Sequence, residues 1–217
     1  HSCKKLAESL HADNFEEAFD VASIEFLRFE DDLKTMGRMA INFAKTNHIP
    51  TIVVLGRNYT IHNTALNSNV PALLRTQGAM AIPVDCYPVD NDEPLYTNTY
   101  WSYGQINLRA ATQVRKTDGI YSVWCSNYAC GPDSFNLHFY QFIMYGKPYA
   151  IIETDGHSGD AGTKTRIEAF LHCVHEFEMG APIRQPQNLH ALENENIPLM
   201  EANKRGATIL IPYLGDN

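Results

Sequence analysis

No apolar run in these 217 residues approaches the ~20 that a membrane-spanning helix needs, and no signal peptide opens the chain. Positive charge is in short supply. Lys and Arg number 17 against 25 Asp and Glu, and the net charge of −8 argues against nucleic acid or an anionic membrane as the main partner. Cysteine is sparse and odd in number: five, irregularly spaced, lay out no disulfide framework, so a reducing cytoplasm is the expected setting. The glycine fingerprints of nucleotide binding are missing as well. Gly56-Arg57-Asn58-Tyr59 fails G-x-G-x-x-G, and no phosphate-cradling P-loop occurs. The chain opens at His1-Ser2-Cys3 without a methionine and stops just after an apolar run, as expected of a piece of something longer.

What is present is an ordinary globular balance, 44% hydrophobic and 19% charged, enough for an ample core. From Phe15 to Phe43 apolar residues recur in alternating steps of four and three, passing through Phe19, Ala22, Phe26, Phe29, Leu33, Met36 and Ala40. Asn14 and Glu17 resemble a capping box, so one long helix is expected, with Gly37 as an optional kink. It either joins this region to a neighbouring domain or packs along its own sheet. From Pro50 strands and helices alternate. Strands are expected at Thr51–Leu55, Ala79–Val84, Ile120–Trp124 and Tyr149–Ile152, and helices at about 65–77, 100–114, 135–145 and 160–178. That alternation predicts an α/β fold, a Rossmann-like, doubly wound, mainly parallel sheet with a long N-terminal helix. Three regions are expected: a helical segment 1–49, the α/β domain 50–180, and a linker with a terminal strand in 181–217.

In such a sheet ligands bind beyond the carboxyl ends of the strands. The loops that follow the four strands hold Arg57, Asn58, Tyr59, His62, Asp85, Cys86, Cys125, Asn127, Cys130, Asp133, Glu153, Asp155, His157 and Asp160, a polar concentration that marks a site. Cys130 falls where the third strand turns into its helix, at Gly131-Pro132. Helix-start amides stabilise a thiolate, so it is placed to be a ligand or nucleophile; it is equally placed to fill a βα corner. The run Glu153, Asp155, His157, Asp160 is either a metal loop or a solvated loop capping the next helix. The C-x4-C spacing of Cys125 and Cys130 matches no common zinc or ferredoxin signature. His172, Cys173 and His175 lie within a helix and read as packing and surface residues.

The stretch S-N-Y-A-C-G-P-D-S-F at Ser126–Phe135 resembles the T-N-F-G-C-G-P-D-S-F signature of activase-related proteins of the 2-hydroxyglutaryl-CoA dehydratase type. Further motifs follow in order: G-R-N-Y at Gly56, L-N-S-N-V-P at Leu66, I-P-V-D at Ile82, Y-W-S-Y-G-Q at Tyr100, G-K-P-Y at Gly146, and E-T-D-G-H-S-G-D-A-G with T-R-I-E-A-F between Glu153 and Phe170. The resemblance implies a domain of an iron–sulfur protein related to 2-hydroxyacyl-CoA dehydratase and its activase, working in ATP-driven low-potential electron transfer. It implies a [4Fe–4S] cluster whose cysteine ligands come from separate domains, with Cys130 as one of them, so that residues 1–217 alone hold no complete cluster and no turnover of their own. Cys125 and Cys86 stand where relatives carry apolar residues and are only alternate metal candidates; Asn58 replaces a proline. Candidate cofactor-binding residues are Arg57, Tyr59, Asn127, Gly131, Asp133 and Ser134. Glu153, Asp155, His157 and Asp160 are expected to support the Cys130 turn from behind. Implied partners are activase or dehydratase subunits, or further domains of the same chain, and acyl-CoA; nucleic acid and membrane are not among them. The alternative is a non-catalytic α/β docking module for an activase or partner subunit.

Overall fold

Strands rich in β-branched residues and apolar on both sides belong in the middle of a parallel sheet, and this is where they lie. In a computed structural model describing residues 2–12, 14–96, 99–127, 130–154, 160–180 and 204, β1 (Thr51–Gly56) and β3 (Ile120–Asn127) form the centre of a four-stranded sheet. The edge strands are β2 (Met80–Pro83) and β4 (Tyr149–Thr154), giving the order β2-β1-β3-β4. Every pairing is parallel, with Thr51 beside both Met80 and Ile120, and Ser122 beside Tyr149. Ile52, Val53, Val54, Leu55, Val123 and Trp124 are buried to within about a percent, while the edge strands are half-buried. All the described residues except 204 fall within one compact unit spanning 1–186.

The helices are α1 (Ser2–Ser9), α2 (Phe15–Thr46), α3 (Asn58–Ile61), α4 (Val70–Thr76), α5 (Ser102–Lys116), α6 (Gly131–Met144) and α7 (Asp160–Glu178). The chain steps from β1 to β2 in one direction, then returns through α5 to β3 and on through α6 to β4. Right-handed crossovers put helices made before and after such a reversal on opposite faces. Accordingly α5 packs on α6, and α4 packs on α7. Among the described residues no helix is long and apolar enough to cross a membrane.

Two expectations change. The helix expected over 65–77 is reduced to α4, because Ser68 and Asn69 take left-handed backbone (φ 48° and 56°). The Asn63 side chain holds the turn before it, accepting from the amides of Ala65 and Leu66 at 3.0 and 3.2 Å, and the Leu66 carbonyl is drawn off by Asn127 and Thr154. Asn14 precedes α2 without a side-chain cap bond, so no capping box forms. At Gly37, the optional kink, α2 continues without a break, for 32 residues in all. The terminal strand expected in 207–212 lies outside the described residues.

Gly37 serves a close approach instead. A Cβ there would lie 1.8 Å from the Cys86 carbonyl oxygen, and nearby Lys34 donates to the Tyr87 carbonyl at 3.1 Å. The carboxyl-terminal half of α2 is thereby tied to the end of β2. Its amino-terminal half leaves Phe19, Ile24, Phe26, Leu27 and Phe29 exposed. Gly37→Ala is expected to cost about 1–3 kcal/mol, because the clash is with backbone that cannot swing away. Gly162→Ala, in α7 with open space where the Cβ would sit, should instead stabilise by up to about 1 kcal/mol. Urea midpoints moving in opposite directions would bear this out; equal, small shifts would contradict it.

Candidate functional site

Where the strand order reverses, the loops after β1 and β3 part to opposite faces and leave a crevice at their carboxyl ends. Several side chains close its floor. Gly56 ends β1 at φ 142°, a conformation that suits glycine, and both its peptide groups are held by the buried Asn107 of α5: its N–H donates to Oδ1 at 2.8 Å, and its carbonyl accepts from Nδ2 at 3.0 Å. Asn127, at the end of β3, accepts from the Thr60 hydroxyl at 2.9 Å. It also donates to the carbonyls of Leu66 (3.3 Å) and Thr154 (3.2 Å), so one amide ties together the ends of β1, β3 and β4.

Cys130 is half-buried at the N-cap of α6, with extended backbone (φ −70°, ψ 114°). Pro132 follows in the first helical turn, where its missing N–H costs nothing. The Cys130 carbonyl accepts from the Ser134 N–H at 3.0 Å and the Ser134 hydroxyl at 2.8 Å, which fixes the turn. Across the crevice comes Arg57. Its guanidinium donates to the Cys130 Sγ and to the Tyr59 hydroxyl, and its Nε lies 3.4 Å from the Asp133 carboxylate. Asp133 is buried and is braced in turn by the Ser126 hydroxyl at 2.9 Å.

The helix-start argument alone leads one to expect a thiol shifted toward thiolate. The opposite balance holds. Burial pushes the Cys130 thiol above its ordinary value; the Asp133 backbone N–H pulls it down, the Asp133 carboxylate pushes it up, and Arg57 pulls it down. Half-burial and a carboxylate in the same turn outweigh the amides.

The other candidates are placed as follows. Gly131 is the first residue of α6. Glu153 pairs in register with Ser126 on the edge strand. Asp160 begins α7, and its side chain, with Asp155 and His157, lies outside the described residues. Cys125 is wholly enclosed, and burial drives its thiol up to about 12. Cys86 sits at the end of β2, its thiol also raised, first by burial and then by Asp85, whose Oδ2 lies 2.7 Å from His62 Nε2. Among the described residues no group of three or more His, Cys, Asp or Glu side chains is placed to hold a metal ion. Of the described side chains at the crevice, Cys130 presents a half-buried thiol whose sulfur accepts from Arg57.

Asn107 and Thr60 were not among the candidates the sequence put forward. Asn107 carried a signal: a polar residue at an otherwise apolar helix position, buried to 1% exposure, needs partners. Thr60 carried none, since its role depends on which strands become neighbours.

The electrostatic balance at Cys130 is open to measurement. Asp133→Asn should lower the pH at which the Cys130 thiol becomes reactive, and Arg57→Leu should raise it, because the thiolate is the nucleophile. Iodoacetamide labelling across pH, read at the Cys130 peptide by mass spectrometry, gives both midpoints. The reverse order would show that neither charge acts on the sulfur.

Residues 2–87 match the family described as the CoA enzyme activase uncharacterised domain. The matched stretch runs from α1 through β2, includes Arg57 and Tyr59, and ends before Cys130. No curated protein and no solved structure matches the chain. By that match residues 2–87 are similar to the uncharacterised domain of CoA enzyme activases.

Proposed function

We propose that this chain is a domain of an iron–sulfur protein related to 2-hydroxyacyl-CoA dehydratase and its activase, in which Cys130 supplies one thiolate to a [4Fe–4S] cluster completed by cysteines of other domains or subunits. The observation that carries the reading is the position of Cys130: a half-buried thiol at a helix start, at the topological switch point, with a guanidinium on its sulfur. Bound there, such a cluster would supply one-electron transfer at low potential. The chain's own residues do the rest. Arg57 neutralises charge as the thiol gives up its proton, Asp133 holds Arg57 in place, and Ser134 and Asn127 fix the turn. A thiol with a raised pKa is not reactive by default, so ligation must release its proton, and the affinity for iron should rise with pH. In this reading the protein works in the cytoplasm alongside activase and dehydratase subunits and acyl-CoA.

A second reading, a non-catalytic α/β module that docks an activase or partner subunit, is favoured by the exposed apolar side chains on the outer half of α2. The two part on one experiment. Anaerobic iron and acid-labile sulfide analysis of the assembled protein should give a cluster in the wild type and a loss of most of it in Cys130→Ser. Equal iron in both would remove Cys130 as a ligand and leave the docking module.

A further inference from the structure

The outer half of α2 stands off the sheet. The helix ends at Thr46, close to where β1 begins, and at Gly37 it meets the Cys86 carbonyl just past the end of β2. Residues 15–36 therefore run on for about 30 Å beyond the carboxyl edge of the sheet, the edge that carries Cys130. One apolar stripe follows the whole helix. In the inner half it is Leu33, Gly37, Ala40 and Ala44, all buried or half-buried. In the outer half the same stripe continues at heptad spacing through Phe15, Phe19, Ala22, Phe26 and Phe29. There Phe19, Phe26 and Phe29 are 49, 59 and 57% exposed. Three successive phenylalanines left half in water form an apolar surface of the kind that a partner covers.

The charge around the stripe says what that partner is. Between 15 and 32 seven acidic residues stand against Arg28 alone, so this segment carries −6 of the chain's net −8. Four of the acids, Glu16, Glu25, Glu30 and Asp32, sit directly beside stripe residues, at the positions whose charges select a coiled-coil partner. All four are exposed, and only Glu16 makes an ion pair among the described residues, with Lys4 at 3.4 Å. A second copy does not fit. The basic part of α2, Lys34, Arg38 and Lys45, belongs to the half already packed at the end of β2, so two outer halves would set acid against acid in either orientation. We propose that the outer half of α2 docks a basic amphipathic helix of a partner protein. Its apolar side chains lie on the phenylalanine stripe, and its Lys or Arg side chains face Glu25, Glu30 and Asp32. The inference rests on the docking reading and adds the partner's chemistry to it; it does not depend on metal at Cys130.

Synthetic helical peptides test this. One carries leucine at the seam and lysine beside it; a second has glutamate in place of the lysines; a third keeps the lysines and has serine in place of the leucines. Binding to the protein is read by fluorescence anisotropy of the labelled peptide. The leucine–lysine peptide is expected to bind saturably, and less tightly as salt rises, with the other two about tenfold weaker. Phe26→Ser, at an exposed position outside the core, should weaken its binding about tenfold. Glu25→Lys combined with Asp32→Lys should turn the preference toward the leucine–glutamate peptide. Equal binding of the two leucine peptides, weakened by Phe26→Ser, overturns the basic partner and leaves the docking reading standing. Binding of neither overturns both. A serine–lysine peptide that binds as well as the leucine–lysine one overturns the proposal, since charge alone would then suffice. So does a dimer in sedimentation equilibrium that Phe26→Ser dissolves, because a second copy would then cover the face.

Discussion

One guanidinium holds the two halves of this sheet's functional edge together. The reversal of strand order sends the chain leaving β1 to one face and the chain leaving β3 to the other, and Arg57, with Asn127, bonds across between the two loops. Arg57, the first residue past β1, reaches the Cys130 sulfur and the Asp133 carboxylate, both just past β3. The supports around it share a purpose. Asn107 locks the end of β1 so that Arg57 leaves in one direction, and Ser126 braces Asp133 so that the carboxylate faces it. A lysine would not serve equally, because three partners in different directions call for a planar fork of donors.

The same arrangement limits what Cys130 can do unaided. A nucleophile needs its thiolate at neutral pH, and here burial and Asp133 keep the proton on. A ligand has a different requirement, since a cation brought to the sulfur displaces the proton itself. A raised thiol braced by Arg57 thus suits ligation better than covalent catalysis. The enclosed Cys125, paired in register with Gly56, is inert by comparison.

Much of this was legible in the sequence, for identifiable reasons. Thr51–Leu55 is a β-branched apolar run between Pro50 and Gly56, so a strand buried on both faces was legible there, and the alternation of strands with helices made the parallel sheet legible. Gly131-Pro132 after a strand marked the helix start at Cys130. The segment 64–69 was not legible: its residues carry a helical pattern, and only the demand of Asn127 and Thr154 for the Leu66 carbonyl explains the turns. Nor was the thiol balance, because the sequence shows the amides' position but not how far Asp133 and burial oppose them. Arg57 and Cys130 are 73 positions apart, and their contact exists only once β1 and β3 are neighbours.

The central claim is that the crevice at the strand reversal presents Cys130 as a metal ligand. It is tested most directly by replacing that one sulfur with selenium and recording the selenium K-edge absorption fine structure of the assembled, iron-loaded protein. The account predicts an iron neighbour in the first shell of the selenium at position 130. A selenium surrounded by carbon alone, in a preparation that carries its full iron, would contradict it.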